Sequence, residues 1–294
     1  MNDYKQIIKD KIAKKNQQLA IARNLYQSLL ENPQFYQNEL ELRKAILNGD
    51  TENITKFDIL KTQILNNLDI ESKLLNPIVD CTLCDDTGFH NGMICQCIKL
   101  ISANKFWSQH SYLKSCTFDK LKLEFYSNPE IIKTLIERLL GFCQKFPNTR
   151  YSSLVLSGNT GTGKTYLSAC IANRLIEQSA SVVYVSAMQF VQSMTKYHTT
   201  FDDTQDQYFT PFVDCDMLII DDLGTESMFK NITLEYLYLV ISQRLSNKKH
   251  ILITTNLDKS GIEYRYGMRI ASRLYDSSLC FAFHFDGKDN RIIN

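Results

Sequence analysis

The chain has no long uninterrupted apolar stretch: its apolar runs are short and broken by polar residues, which argues against a membrane-spanning helix. The opening "MNDYKQIIKDKIAKKNQQ" lacks the apolar core of a signal peptide, so the expected location is cytoplasmic, where thiols stay reduced. Excess charge of one sign is missing too. With 33 Lys plus Arg against 32 Asp plus Glu, the formal net charge is +1, and no global basic field marks a nucleic-acid binder. Any DNA contact then has to be local, or built by assembling copies. Internal repeats and low-complexity tracts are absent. Nine cysteines, an odd number, fit poorly with a disulfide framework. What remains is 294 residues of ordinary globular composition, 44% hydrophobic and 22% charged, long enough for two domains.

The first third is patterned for helices. Residues 1–30 carry Ile8, Ile12, Leu19, Leu25 and Leu29 on a broken apolar stripe, interrupted by Pro33. "NELELRKAILNG" is a second helical piece ended by Gly49. "NITKFDILKTQILNNLD" places Ile54, Phe57, Leu60, Ile64 and Leu68 at helical spacing, with Pro77 stopping it before a cysteine-rich stretch, "CTLCDDTGFHNGMICQC". The stripes suit an intramolecular core or a docking surface for a partner. We place a helical N-terminal region at 1–110, with a knuckle at 81–97, and a linker at 111–128, in the aromatic-dotted "CTFDKLKLEFYSNPE". From 129 to 294 the pattern changes. After a helix beginning near Pro129, the runs "SLVLSG", "SVVYVS", "DMLIIDD", "HILITTN" and "CFAFHF" alternate with helical segments. Continuous apolar strands separated by helices indicate an α/β domain with a buried parallel sheet covered on both faces.

"GNTGTGKT" follows the first of these strands and opens a helix. Gly158, Asn159, Thr160, Gly161, Thr162, Gly163, Lys164 and Thr165 match G-x-x-x-x-G-K-[ST] in full. Glycines let backbone N–H groups curl around phosphates, and the helix N-terminus adds a favourable field. Lys164 reaches the β- and γ-phosphates of ATP, and the Thr165 hydroxyl ligates Mg2+. Independently, "MLIIDD" is an apolar strand ending in two carboxylates. Asp221 orders Mg2+ through its water shell and Asp222 polarises the attacking water. Asp222 is one methylene shorter than the Glu common at this position, and the expectation that follows is slow hydrolysis, or help from Glu226. "ILITTN" ends a strand with Asn256, either a turn residue or a hydrogen-bond partner for the attacking water. Arg269 and Arg273, four residues apart, share a helix face. Arg291 lies beyond the last strand.

The ordered set "SGNTGTGKT", "LIIDDLGTE", "ITTN", "YGMRIASRL" and "FDGKDNR" resembles the bacterial replicative helicase loaders of the DnaC/DnaI family, which are AAA+ ATPases related to the IstB-type transposition helpers. The likeness spans about residues 117–294, and the cysteine stretch looks like the zinc knuckle of DnaI-type loaders. The resemblance implies an AAA+ P-loop domain behind a helical, helicase-binding region. It also implies roles: Asn256 as sensor 1, Arg269 as an arginine finger acting on a neighbouring subunit, and Arg291 as sensor 2. Partners would be a replicative hexameric helicase, single-stranded DNA and further copies of the chain. The alternative is an IstB-like helper that binds duplex DNA and recruits a transposase, and a third reading is a nucleotide-gated adaptor without turnover.

For the knuckle, Cys81 and Cys84 supply two thiolates from a tight turn. Cys95 and Cys97, two apart, share a face if the chain there is extended. Four thiolates around Zn2+ is the expected set, with His90 replacing one cysteine as the rival. A redox pair at Cys81 and Cys84 would be expected beside a thioredoxin-like βαβ unit, and the flanks here are helical. Cys170 and Cys215 sit in apolar runs and suit plain core.

Overall fold

Asn32, Pro33 and Gly49 set the first helical boundaries. The structure is a computed structural model and describes residues 2–76, 79–107, 112–126, 128–229 and 231–287. Helix α1 (Asn2–Leu29) is followed by α2 (Pro33–Asn48), whose start is capped by the Asn32 side chain accepting from Gln34 and Phe35 N–H, with Pro33 at the first helical position. Gly49, in the left-handed region, closes α2. Asp50 caps α3 (Thr51–Asn67) by accepting from Asn53 N–H. Leu29, Phe35, Ile64 and Leu65 form the core that these helices share. A short antiparallel hairpin, β1 (Phe89–His90) and β2 (Met93–Ile94), turns through Asn91 and Gly92, both at positive φ.

Two compact units result. One is Ile8–Cys95, and the other is built from Gln96 onward together with the chain's first seven residues. The division falls ahead of the boundary expected at residue 110. The reason is α4 (Gln96–Trp107): the Trp107 ring packs 5.3 Å from Tyr184, and Phe106 packs 5.5 Å from Phe212. The stretch expected to be a linker is also docked. Leu113 and Cys116 are buried, and their carbonyls accept from the Asn173 side chain at 2.9 and 2.7 Å.

The second unit continues with α5 (Pro129–Lys145), β3 (Ser153–Gly158), α6 (Lys164–Glu177), β4 (Val182–Ser186), α7 (Ala187–Thr199) and α8 (Thr210–Asp214). It ends with β5 (Met217–Leu223), α9 (Thr233–Ser246), β6 (His250–Thr255), α10 (Lys259–Tyr266), α11 (Met268–Leu274) and β7 (Cys280–Phe285). The five strands β3 to β7 are all parallel, in the order β4-β5-β6-β3-β7. Alternate side chains feed two cores. Val155, Val185, Ile220 and Ile253 face one, with Phe190 of α7 and Val240 of α9, whereas Leu156, Tyr184, Ile219 and Leu252 face the other, with Leu135 of α5 and Ile171 of α6. Burial on both faces explains why these strands read as continuous apolar runs. The expected parallel sheet flanked by helices, behind a helical N-terminal region, is the observed fold.

Candidate nucleotide site and thiolate knuckle

The sheet order sets β3 beside β6, and β6 beside β5, so the carboxyl ends of these three strands open together into one cleft. At the end of β3, Gly158 has φ 136°, and a Cβ there would strike the Phe285 backbone of β7, so only glycine fits. Gly163 begins α6 at φ 91°, where a side chain would also meet the Tyr126 hydroxyl. Lys164 is buried and curls back on the loop, its Nζ donating to the carbonyls of Gly158 at 2.8 Å and Asn159 at 2.6 Å. Thr162 braces the loop from within, donating to the Asn159 carbonyl at 2.8 Å.

Thr165 and Asp221 meet directly. The Thr165 hydroxyl lies 3.1 Å from each carboxylate oxygen, the arrangement that a hydroxyl and a carboxylate sharing one Mg2+ shell would need. Burial raises the pKa of Asp221 and the Asp222 charge adds to this, against hydrogen bonds from Thr254, Thr165 and Tyr184. Asp222 occupies a bulge of β5 at φ 59°, its N–H donating to Thr254 Oγ1 at 2.8 Å and its Oδ1 accepting from Asn256 Nδ2 at 3.2 Å. Thr254 in turn donates to Asp221 at 2.6 Å, so one hydroxyl ties the Asp221 carboxylate and the Asp222 backbone to β6. Thr254 was not among the residues singled out from the sequence, where only its place two residues before Asn256 marked it.

The cleft has a volume of about 760 Å3, and residues Thr160 to Thr165, Asp221, Asp222 and Asn256 line one side. The other wall comes from the segment expected to be a linker, with Leu121, Phe125 and Tyr126 among its residues. Arg269 does not line this cleft. Its guanidinium stands 4.3 Å from the ring centroid of Tyr238 on α9, with Arg273 at 5.5 Å on the same ring and donating to the Tyr238 hydroxyl at 3.5 Å. Those hydrogen bonds, from Arg273 first, then Arg269 and Ser242, push the Tyr238 phenol down to about 8. Glu226, considered as a helper in hydrolysis, is engaged elsewhere: it is buried, accepts from Gly224 N–H at 2.9 Å and the Tyr266 hydroxyl at 2.5 Å, and pairs with Arg265 at 3.6 Å. Arg291 lies outside the described residues.

The opening cysteine stretch is a second site. The Sγ atoms of Cys81, Cys84, Cys95 and Cys97 all lie within 4.8 Å of one another. Tetrahedral Zn–S bonds of about 2.3 Å require S···S edges of ~3.8 Å, and the Cys81–Cys95 edge is 3.8 Å. The donor set and spacing therefore fit a closed four-thiolate zinc site. Cys97 gets there differently from the extended geometry expected, since it is the second residue of α4 and the helix start turns its thiol toward the others. His90 is not in the group; its Nδ1 engages the Leu83 carbonyl at 2.8 Å. Beside the knuckle, Asp86 accepts from Asp80 and Cys81 N–H at 2.8 and 3.0 Å and from Lys11 Nζ of α1 at 2.7 Å. Burial opposes ionisation of Asp86, but the Lys11 and backbone bonds prevail and lower its pKa. Cys143 and Cys170 are buried in the second unit, where burial pushes both thiols up, Cys143 to about 12. They are core.

The sequence model of a family described as IstB-like ATP binding protein matches residues 115–267. Among curated proteins, the chain is 27% identical over 176 residues to the replicative helicase loader DnaC of Buchnera aphidicola from Acyrthosiphon pisum, covering 58% of this chain and 68% of that one. It is 22% identical over 182 residues to DnaC of Escherichia coli K12, covering 61% and 71%. Among solved structures, the DnaC helicase loader superposes with a TM-score of 0.52 at 17% identity, over 60% of this chain and 99% of that one, which speaks to the fold. Among the described residues, no helix is long and apolar enough to cross a membrane.

Proposed function

The chain belongs to the IstB-like ATP-binding family, as an AAA+ protein of the DnaC/DnaI kind, and from that premise we propose that it is an ATP-dependent loader of a ring-shaped replicative helicase onto single-stranded DNA. The observation that carries the reading is a chain that combines a four-thiolate knuckle, three of whose cysteines belong to the helical unit, with a nucleotide cleft. The helical unit docks the helicase, and the second unit assembles with copies of itself.

The chemistry follows from the cleft. Lys164 leaves the Gly158 and Asn159 carbonyls for the β- and γ-phosphates, while Thr165 and Asp221 hold Mg2+. Asp222 and Asn256 orient the attacking water. Arg269 serves a neighbour's γ-phosphate, so ATP joins subunits and hydrolysis releases them. Turnover is slow, because Asp222 is one methylene shorter than a glutamate. The knuckle holds Zn2+ as a structural ion. The sensor 2 role falls to Arg291 by its match to the family's motif.

The test is co-purification of the tagged full-length protein with candidate partners in the presence of ATP. Retrieval of the hexameric helicase, with ATPase activity that responds to single-stranded DNA, supports the loader. The family description favours a second reading, a transposition helper on duplex DNA. Retrieval of a transposase and a response to duplex DNA alone would establish that reading instead.

A further inference from the structure

Away from the nucleotide cleft, a groove of about 580 Å3 runs between α5 and β7, the strand at one end of the sheet. Arg138, Lys145 and Arg150 line it, and no acidic residue does. Among the described residues no carboxylate pairs with any of the three, whereas Arg174, Lys249 and Arg265 each hold one. In a chain with a net charge of +1, three gathered and unneutralised cations form a local field. The groove also presents rings. Tyr151 and Phe281 lie 5.9 Å apart, both half-buried, and the Arg150 guanidinium stands 5.2 Å from the Tyr151 centroid.

Gly141 is the second observation. It sits inside α5, on the face of Arg138 and Lys145, and lines the groove. Glycine inside a helix is unfavourable relative to alanine, and packing does not explain it, since a Cβ at 141 would meet nothing within 4 Å. An open helix backbone flanked by cations lets a ligand approach closely.

We propose that this groove binds a short stretch of single-stranded DNA. Arg138, Lys145 and Arg150 take the phosphates, and the Tyr151 and Phe281 rings take the bases. An acidic peptide would use the cations and leave the rings idle. The assignment rests on the loader reading for its DNA partner and adds where one strand runs.

The test is fluorescence anisotropy of a labelled oligo-dT of about 20 nucleotides with the full-length protein, across a salt series. Gly141→Met puts a flexible side chain into the groove at a position where its Cβ meets nothing within 4 Å, so the expected result is an unchanged or higher melting temperature with binding weakened about tenfold or more. Replacing Arg138, Lys145 and Arg150 by Ala should flatten the slope of log K against log salt by about 2. Tyr151→Ala should weaken binding by about tenfold through lost stacking. Wild-type protein that binds the oligonucleotide while Gly141→Met and the triple variant bind it equally well overturns the groove and spares the loader reading. Wild-type protein that binds no oligonucleotide at any salt overturns both. Variants that lose polyglutamate binding yet keep the oligonucleotide make the groove a peptide site, against the proposal.

Discussion

The Asn256 side-chain amide donates to Oδ1 of Asp222 at 3.2 Å, joining the end of β6 to the bulged end of β5 across the mouth of the nucleotide cleft. Asp222 holds a left-handed backbone that a non-glycine residue adopts at a cost of about 1–3 kcal/mol. Two contacts from β6 hold it there, Thr254 on its N–H and Asn256 on its carboxylate. The carboxylate therefore meets the cleft in one orientation, which suits a group that must align a water.

Asn256→Ala should lower single-turnover ATP hydrolysis by about 10²-fold, with nucleotide affinity changed little, because the contact orients a base. Parallel measurement of binding with a fluorescent ATP analogue checks the split. Equal losses in both would make Asn256 a nucleotide-binding residue.

Arg269→Ala should keep ATP affinity and lose hydrolysis, whereas Lys164→Ala should lose ATP binding. Mixed together, the two inactive proteins should regain activity, since a Lys164→Ala subunit still offers Arg269 to its neighbour. A mixture that co-assembles and stays inactive rules out the shared site. The stack on Tyr238 adds a finer expectation: Tyr238→Ala should slow hydrolysis about two- to fivefold and Tyr238→Phe hardly at all, in line with an exposed cation–π contact.

Purified protein should contain one zinc per chain by elemental analysis, and Cys84→Ser should lose it, because thiolate ligation and local folding are coupled. His90→Ala should retain it, as His90 stands outside the sulfur cluster. Lys11→Met should destabilise the helical unit by about 3 kcal/mol or more, since it leaves buried Asp86 without its cation. Zinc retained in Cys84→Ser, or lost in His90→Ala, would contradict the ligand set.

Acid should destabilise the second unit over a defined range. Burial, with the nearby charges of Arg244 and Lys249, pushes His250 from 6.5 down to about 4. Between those values the unfolded chain takes up a proton that the folded chain refuses. The stability is therefore fully present above pH 6.5 and falls as pH drops toward 4, by roughly 3 kcal/mol at most. Asp216 extends the loss: burial would raise it, but the Ser181 and Lys249 bonds hold it at about 2, so its contribution is full above 3.8 and lost as pH falls through 2. Denaturant melts from pH 7 to pH 2 check both parts, and His250→Gln should flatten the upper part of the curve.

The sequence by itself determined what depends on near neighbours. Asn32, Asp50 and Gly49 cap helices through residues a turn away, and Gly158 to Thr165 form a phosphate loop from consecutive backbone groups. The five strand runs were legible because burial on both faces leaves them continuously apolar. One local signal went unread, the Asn91-Gly92 pair that turns the knuckle hairpin. Tertiary structure decided what depends on distant partners. Thr254 reaches Asp221 across 33 positions, and Tyr238 reaches Arg273 across 35, through strand and helix neighbours that no spacing along the chain encodes. The segment before Pro129 had the polar, dotted pattern of a linker, yet it docks on α6 and walls the nucleotide cleft, because Leu113, Cys116 and Tyr126 find apolar partners only once the sheet has formed. Glu226 had the right chemistry for catalysis and the wrong surroundings, since Tyr266, Arg265 and the Gly224 N–H already claim its carboxylate.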